Sequence, residues 1–213
     1  MNIRLSTGVI EQVNEFKYLG VNIQDGTTGK TVRERIALGQ RTFGRLSKIW
    51  RSNKMSIKLK IKLLSSVVIP TALYGAECWV LKKEEERKLL AFEMKCLRRI
   101  CGIRWEDRVR NEEVKTRTGQ NITILDRVQD MQRRWFGHVV RMNEGRWPKA
   151  ALHGRVRGTR PRGRPRDTWL RRFRMSNNNR SVREMAESAA NRQRWREYRH
   201  QMWDPTRRIP DGS

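Results

Sequence analysis

Paired carboxylates are where two-metal phosphoryl-transfer chemistry would have to sit, because such sites hold their cations with closely spaced acids. The adjacent acids here are Glu84-Glu85-Glu86, Glu106-Asp107 and Glu112-Glu113. Each stands at the start of a helical pattern, where negative charge complements the helix dipole. They read as solvated helix starts. No Asp-Asp pair occurs anywhere in the chain. Cys78, Cys96 and Cys101 are separated by 17 and 4 residues, and His138, His153 and His200 lie far downstream, without a CxxC or HxxxH spacing. Zinc needs ligands gathered at closer spacing, so the cysteines read as reduced, buried thiols. There is no G-x-S-x-G, and His138 falls inside an amphipathic pattern without a nucleophile beside it. No catalytic residue, metal, cofactor or small-molecule substrate is expected.

Charge is more informative. The chain has 213 residues, with 48 Lys or Arg against 22 Asp or Glu, and a formal net charge of +26. Self-repulsion of that size points to a polyanionic partner. Nucleic acid fits best, because Lys and Arg neutralise phosphates and release condensed counterions. A membrane surface fits less well, since the basic stretch is rich in Gly and Pro and is not an amphipathic helix. Residues 1–30 are neutral in sum, whereas residues 133–172 carry thirteen Lys or Arg against two acids. The electrostatic footprint is therefore expected in the C-terminal half. The most apolar run, residues 63–81, is broken by Ser65, Ser66, Pro70, Gly75 and Glu77, a core segment and not a membrane span. No signal peptide is visible, and an intracellular location, nucleus or cytoplasm, is expected.

The elements that must position these residues are mostly helical. Residues 1–24 predict a β hairpin from the runs 9–13 and 16–23, with a further strand near residues 3–5, closed by Asp25-Gly26. A first helix is expected from the capping spacing Thr31-x-x-Glu34, with Ile36, Phe43, Leu46 and Ile49 or Trp50 on its apolar face. A second spans about 57–74, kinked at Pro70. A third runs over about 83–101, with Leu89, Leu90, Phe92, Leu97 and Ile100 inward. A short helix over 111–118 stops at Gly119, and a longer one spans 123–142 with the stripe Leu125, Val128, Met131, Trp135, Val139 and Met142. Residues 143–166 lose periodicity and read as a basic Arg/Gly/Pro linker. Helices over about 168–175 and 181–202 close the chain. The expected fold class is mostly α, with a small N-terminal β hairpin (1–30), a helical bundle (31–105) and connecting helices (106–142). A basic linker (143–168), a C-terminal helical segment (169–204) and a disordered tail (205–213) complete it.

Inside the linker, Arg160-Pro161-Arg162-Gly163-Arg164-Pro165-Arg166 contains an Arg-Gly-Arg-Pro core that resembles an AT-hook. Gly lets the backbone approach a groove floor, Pro keeps it extended, and narrow A·T minor grooves attract Arg. Asp167 departs from an all-basic flank. Trp147 and Trp169 flank the linker, where they either stack on bases or pack into a core.

The pattern as a whole resembles the region after the catalytic palm of LINE-type (non-LTR) retrotransposon reverse transcriptases. Phe16-Lys17-Tyr18-Leu19-Gly20-Val21 resembles the primer-grip hairpin. Arg35-Ile36 through Trp50, residues 60–64, Leu73-Tyr74-Gly75-Ala76-Glu77-Cys78-Trp79 and Leu90-x-Phe92-Glu93-x-x-Cys96-Leu97-Arg98 look like the helical thumb. Arg134-Trp135-Phe136-Gly137-His138-Val139-x-Arg141-Met142, Gly163-Arg164-Pro165-Arg166-x-x-Trp169 and Asn191-Arg192-x-x-Trp195-Arg196 resemble the C-terminal region. The resemblance covers residues 9–199 and implies a grip on RNA, DNA or an RNA–DNA hybrid. The family's Tyr/Phe-x-Asp-Asp hairpin and its Cys-Cys-His-Cys knuckle are not in this sequence. The carry-over therefore excludes polymerase activity for this chain by itself and implies palm and fingers domains as partners.

The implied nucleic-acid contacts are Phe16, Tyr18, Leu19 and Gly20 in the hairpin and Lys54, Lys58, Lys60 and Lys62 as a phosphate-facing set. Arg155, Arg157, Arg160, Arg162, Gly163, Arg164 and Arg166 are the contacts in the linker. Two rival readings stand beside this one: an independent AT-hook-like chromatin module, and a nonfunctional transposon relic whose orphaned hairpin is poorly ordered or aggregation-prone.

Overall fold

The structure is a computed structural model that describes residues 4–5, 8–9, 13, 15–18, 21–24, 29–154, 162–163 and 167–203. It is mostly α, as expected. Two short antiparallel ribbons come first: β1 (Arg4–Leu5) with β2 (Gly8–Val9), and β3 (Glu15–Tyr18) with β4 (Val21–Gln24). The hairpin therefore differs from the expected one. The run 16–23 folds back on itself, pairing Phe16 with Ile23 and Tyr18 with Val21. Only two residues separate Tyr18 from Val21, and glycine is the second of them, which is hairpin spacing.

Helix α1 (Gly29–Arg45) begins two residues before the expected start, so Thr31 is a buried residue of its first turn and not its cap. Then come α2 (Ser47–Arg51) and α3 (Ile57–Leu63), the latter capped by Ser56, whose side chain accepts from the Leu59 N–H. The expected kink at Pro70 takes another form. Residues Leu64–Val68 form a π-helical segment, with the Ile69 N–H donating to the Leu64 carbonyl, before α4 (Ile69–Ala72). The wider turn precedes the proline, which sits in the first turn of α4, where a missing N–H costs little. Ser66 and Thr71 hydroxyls donate to the carbonyls of Leu63 and Val67 in this stretch.

Next are α5 (Lys83–Ile100), α6 (Asn111–Thr118) and α7 (Ile124–Val140). The acids at their starts do structural duty: Glu85 accepts from the Lys82 N–H at 2.7 Å and Asp126 from the Thr123 N–H at 2.7 Å. The expected unstructured linker contains a helix, α8 (Trp147–His153), with Pro148 in its first turn. The chain closes with α9 (Trp169–Met175), α10 (Val182–Ala190) and α11 (Arg192–Trp203), so the last expected helix is two, divided at Asn191.

Two apolar cores result. The first runs from Val32 to Val128 and joins α1 through α6 to the start of α7, around Trp50, Trp79, Leu89, Phe92 and Ile124. The second gathers Phe136, Phe173, Met185, Ala189 and Trp195. Helix α7 serves both, and for that reason its buried set is wider than one stripe: Val128 and Val139 are buried as expected, and so are Gln132, Arg133 and Phe136. Gly137 permits the closest approach. A methyl group there would collide with the Trp195 indole, which lies against the helix and donates to the Arg133 carbonyl at 2.9 Å.

Candidate nucleic-acid interface

A cleft of about 660 Å³ opens between the α2–α3 turn and the end of α5. Arg51, Ser52, Asn53, Met55, Ile57 and Lys60 line one wall, and residues 99–104 line the other. Its ionisable side chains are Arg51, Lys60, Arg99, Arg104 and Cys101, with no carboxylate among them. Burial pushes the Cys101 thiol up, which keeps it neutral. Arg51 and Arg99 lie in the last turns of α2 and α5, where the helix dipole favours cations. Lys54 belongs to the turn that forms the first wall, and Lys58 and Lys62 stand four residues apart on α3; all three are exposed. Among the described residues, none of Arg51, Lys54, Lys58, Lys62, Arg99 and Arg104 is ion-paired.

Lys60 departs from its expected role. It is 6% exposed, and its Nζ donates to the Trp50 carbonyl at 3.0 Å, bracing the end of α2. A phosphate-facing lysine has to reach solvent, and the α3 face that carries Lys60 turns inward beside Ile61. The alternation of Lys58, Lys60 and Lys62 looks strand-like in sequence, but a helix keeps Lys58 and Lys62 on one exposed face and turns Lys60 away from it.

The other expected contacts are scattered. Phe16 is 56% exposed on β3, and the β3–β4 ribbon meets α1 through β4. Tyr18 lies on the same strand. Arg162 and Gly163 are exposed, and Gly163 has φ +119°, a backbone conformation that only glycine adopts without strain. Leu19, Gly20, Arg155, Arg157, Arg160, Arg164 and Arg166 lie outside the described residues. Trp169 is a packing residue: its Nε1 donates to the Glu77 carbonyl at 2.7 Å and its ring stacks on Phe173 at 4.8 Å. Trp147 is 87% exposed.

Sequence reasoning missed Trp105, which is 85% exposed in the 3-10 turn Trp105–Asp107 directly after the cleft-lining Arg104. The available signal was a tryptophan inside a run of charged residues, Arg104-Trp105-Glu106-Asp107-Arg108. It also missed that Cys78 is exposed and Cys101 only half-buried, so that Cys96 alone of the three has the expected burial. Cys96 is buried, and its thiol is pushed up to about 12 by burial and the nearby Glu93 carboxylate. No cluster of three or more metal-ligating side chains is present among the described residues. Nor is any described helix long and apolar enough to cross a membrane.

Two curated proteins give similarities. An uncharacterised transposon-derived protein of Caenorhabditis elegans is 26% identical over 151 residues, which is 67% of this chain and 52% of that protein. The RNA-directed DNA polymerase from mobile element jockey of Drosophila funebris is 24% identical over 139 residues, 62% of this chain and 14% of that protein. The chain thus spans about half or less of the length of these relatives. No protein-family model matches, and no solved structure matches significantly. Together the similarities support a mobile-element origin.

Proposed function

We propose that this chain is the nucleic-acid-gripping part of a non-LTR retrotransposon reverse transcriptase, carrying primer-grip, thumb-like and C-terminal segments and holding primer–template or target DNA by its phosphates. The observation that carries the reading is the α2–α3/α5 cleft, whose walls bring together unpaired cations and no acid. Unpaired cations on helix ends bind phosphate without reading sequence. The similarity to a polymerase from a mobile element supports the same reading. The chain's residues hold nucleic acid, and chemistry would come from palm and fingers domains.

The test is fluorescence anisotropy of a labelled duplex across a salt series. Affinity should fall steeply with salt. Replacing the cleft-lining Arg51, Arg99 and Arg104 together by Ala should reduce the slope of log affinity against log salt by about 2–3, one phosphate contact per arginine. Salt-independent binding, or an unchanged slope in the triple variant, would remove the cleft from the account. A second reading is favoured by the positive φ of Gly163 beside exposed Arg162: the linker seats in A·T-rich minor grooves. Equal affinity for A·T-rich and G·C-rich duplexes would eliminate it.

A further inference from the structure

We infer that the cleft is built for unpaired nucleotides, with Trp105 as the platform on which a base stacks. The inference rests on the phosphate-binding reading above and adds a ligand class to it: single-stranded DNA or RNA rather than the interior of a duplex.

Trp105 follows Arg104, a residue of the cleft wall. Its indole is 85% exposed and has no hydrogen bond or ring contact among the described residues. The turn beneath it is nonetheless fixed. Asp107 Oδ2 accepts from the Arg104 N–H at 2.7 Å, the Asp107 N–H donates to the Arg104 carbonyl at 3.3 Å, and the Arg108 N–H donates to the Trp105 carbonyl at 3.3 Å. Arg108 then takes φ +48° in the left-handed region and closes the turn. The indole is thus carried on a hydrogen-bonded turn, so holding it in place for a ligand costs little further backbone entropy.

Cations that track a backbone, interleaved with an aromatic that takes a base face, form the arrangement that binds single strands. Every base has a π-face, so such stacking tolerates any sequence. In a duplex those faces are covered by neighbouring bases and exposed only at the ends. The cleft cations serve both kinds of ligand, whereas Trp105 serves only the unpaired one. Neither exposed tryptophan is part of the cleft lining itself, but Trp105 is the chain neighbour of the lining residue Arg104, whereas Trp147 belongs to α8.

The experiment compares a labelled single strand with a long blunt duplex of the same sequence, on the full chain and on Trp105→Ala and Trp105→Phe. An exposed side chain without partners can be replaced without unfolding the chain, and far-UV circular dichroism checks this. Trp105→Ala should weaken single-strand binding about tenfold and leave duplex binding within about twofold, and Trp105→Phe should keep most of the single-strand affinity. Unchanged single-strand affinity in Trp105→Ala, or equal losses on both ligands, overturns the inference while the phosphate reading stands. A parent chain that binds neither ligand overturns both.

Discussion

In the first core a buried carboxyl group accepts from a backbone N–H, and beside the second a buried guanidinium donates to backbone and side-chain oxygens. Glu93, 5% exposed, accepts from the Ile124 N–H at 3.0 Å at the positive end of α7. Arg133, 2% exposed, donates through Nε to Asn177 Oδ1 at 2.7 Å and through Nη2 to the Ser176 carbonyl at 3.1 Å. Nearby, Asp130 holds Arg199 at 2.9 Å and Arg134 at 2.8 Å. The difference changes where the usable charge lies. The C-terminal half holds the densest cations in sequence, yet several of them are committed to structure. The first core buries Glu85 and Glu93 with Lys60 as its buried cation, and Arg51, Arg99 and Arg104 around the cleft stay without an ion pair among the described residues.

The sharpest way to break this comparison is Arg133→Met. It leaves the Ser176 carbonyl without the Arg133 donor and Asn177 Oδ1 with the Tyr198 hydroxyl alone, at 3.2 Å, and should cost on the order of 2–4 kcal/mol in denaturant-measured stability. A loss under about 1 kcal/mol would mean that the second core does not depend on its guanidinium. Gly137→Ala comes next. It drives a methyl group into Trp195 and should cost about 1–3 kcal/mol, read as a lowered urea midpoint with unchanged slope; a neutral outcome would deny the close approach of α11 to α7.

The smallest effect is expected at Glu93. Burial raises its pKa, more than the hydrogen bond from the Ile124 N–H lowers it. A raised carboxyl pKa means that its contribution is intact below the unfolded value and is lost as pH rises through the folded one. Glu93→Gln keeps an acceptor for the Ile124 N–H and removes the charge. It should therefore be more stable than the parent near neutral pH, with the gap closing below the ordinary value of 4.5. A gap that widens on acidification would reverse the assignment.

Much of this fold was legible because local signals and tertiary packing agree. Helix α6 stops at Gly119, Thr123 caps α7, and Leu89, Phe92, Leu97 and Ile100 face inward as their spacing predicts. The failures have physical causes. Helix α8 was read as loop because Gly145, Pro148 and Gly154 look like breakers, although proline in a first turn starts a helix. Arg133 was counted with the surface charge because nothing in one sequence marks a guanidinium whose acceptors lie 43 and 44 residues away. Lys60 was placed outward for the same reason. The cleft is barely legible: of its cations only Lys60 is among the expected contacts, with Lys54, Lys58 and Lys62 near its first wall, and Arg51, Arg99 and Arg104 come together only when α2 and α5 pack.

The anchoring of the basic linker has a further consequence. Leu152, near the end of α8, and Thr168, just before α9, line the same pocket of about 440 Å³ against α7. The described residues on both sides of the basic linker are thus anchored against α7. Once the cleft has caught a strand, any contact by the linker's arginines is intramolecular. Its strength is then governed by the effective concentration that the length of chain between the two contacts sets, on the order of millimolar for a short connection. A weak second contact can in this way lengthen the residence of the whole chain on a polymer without being tight itself.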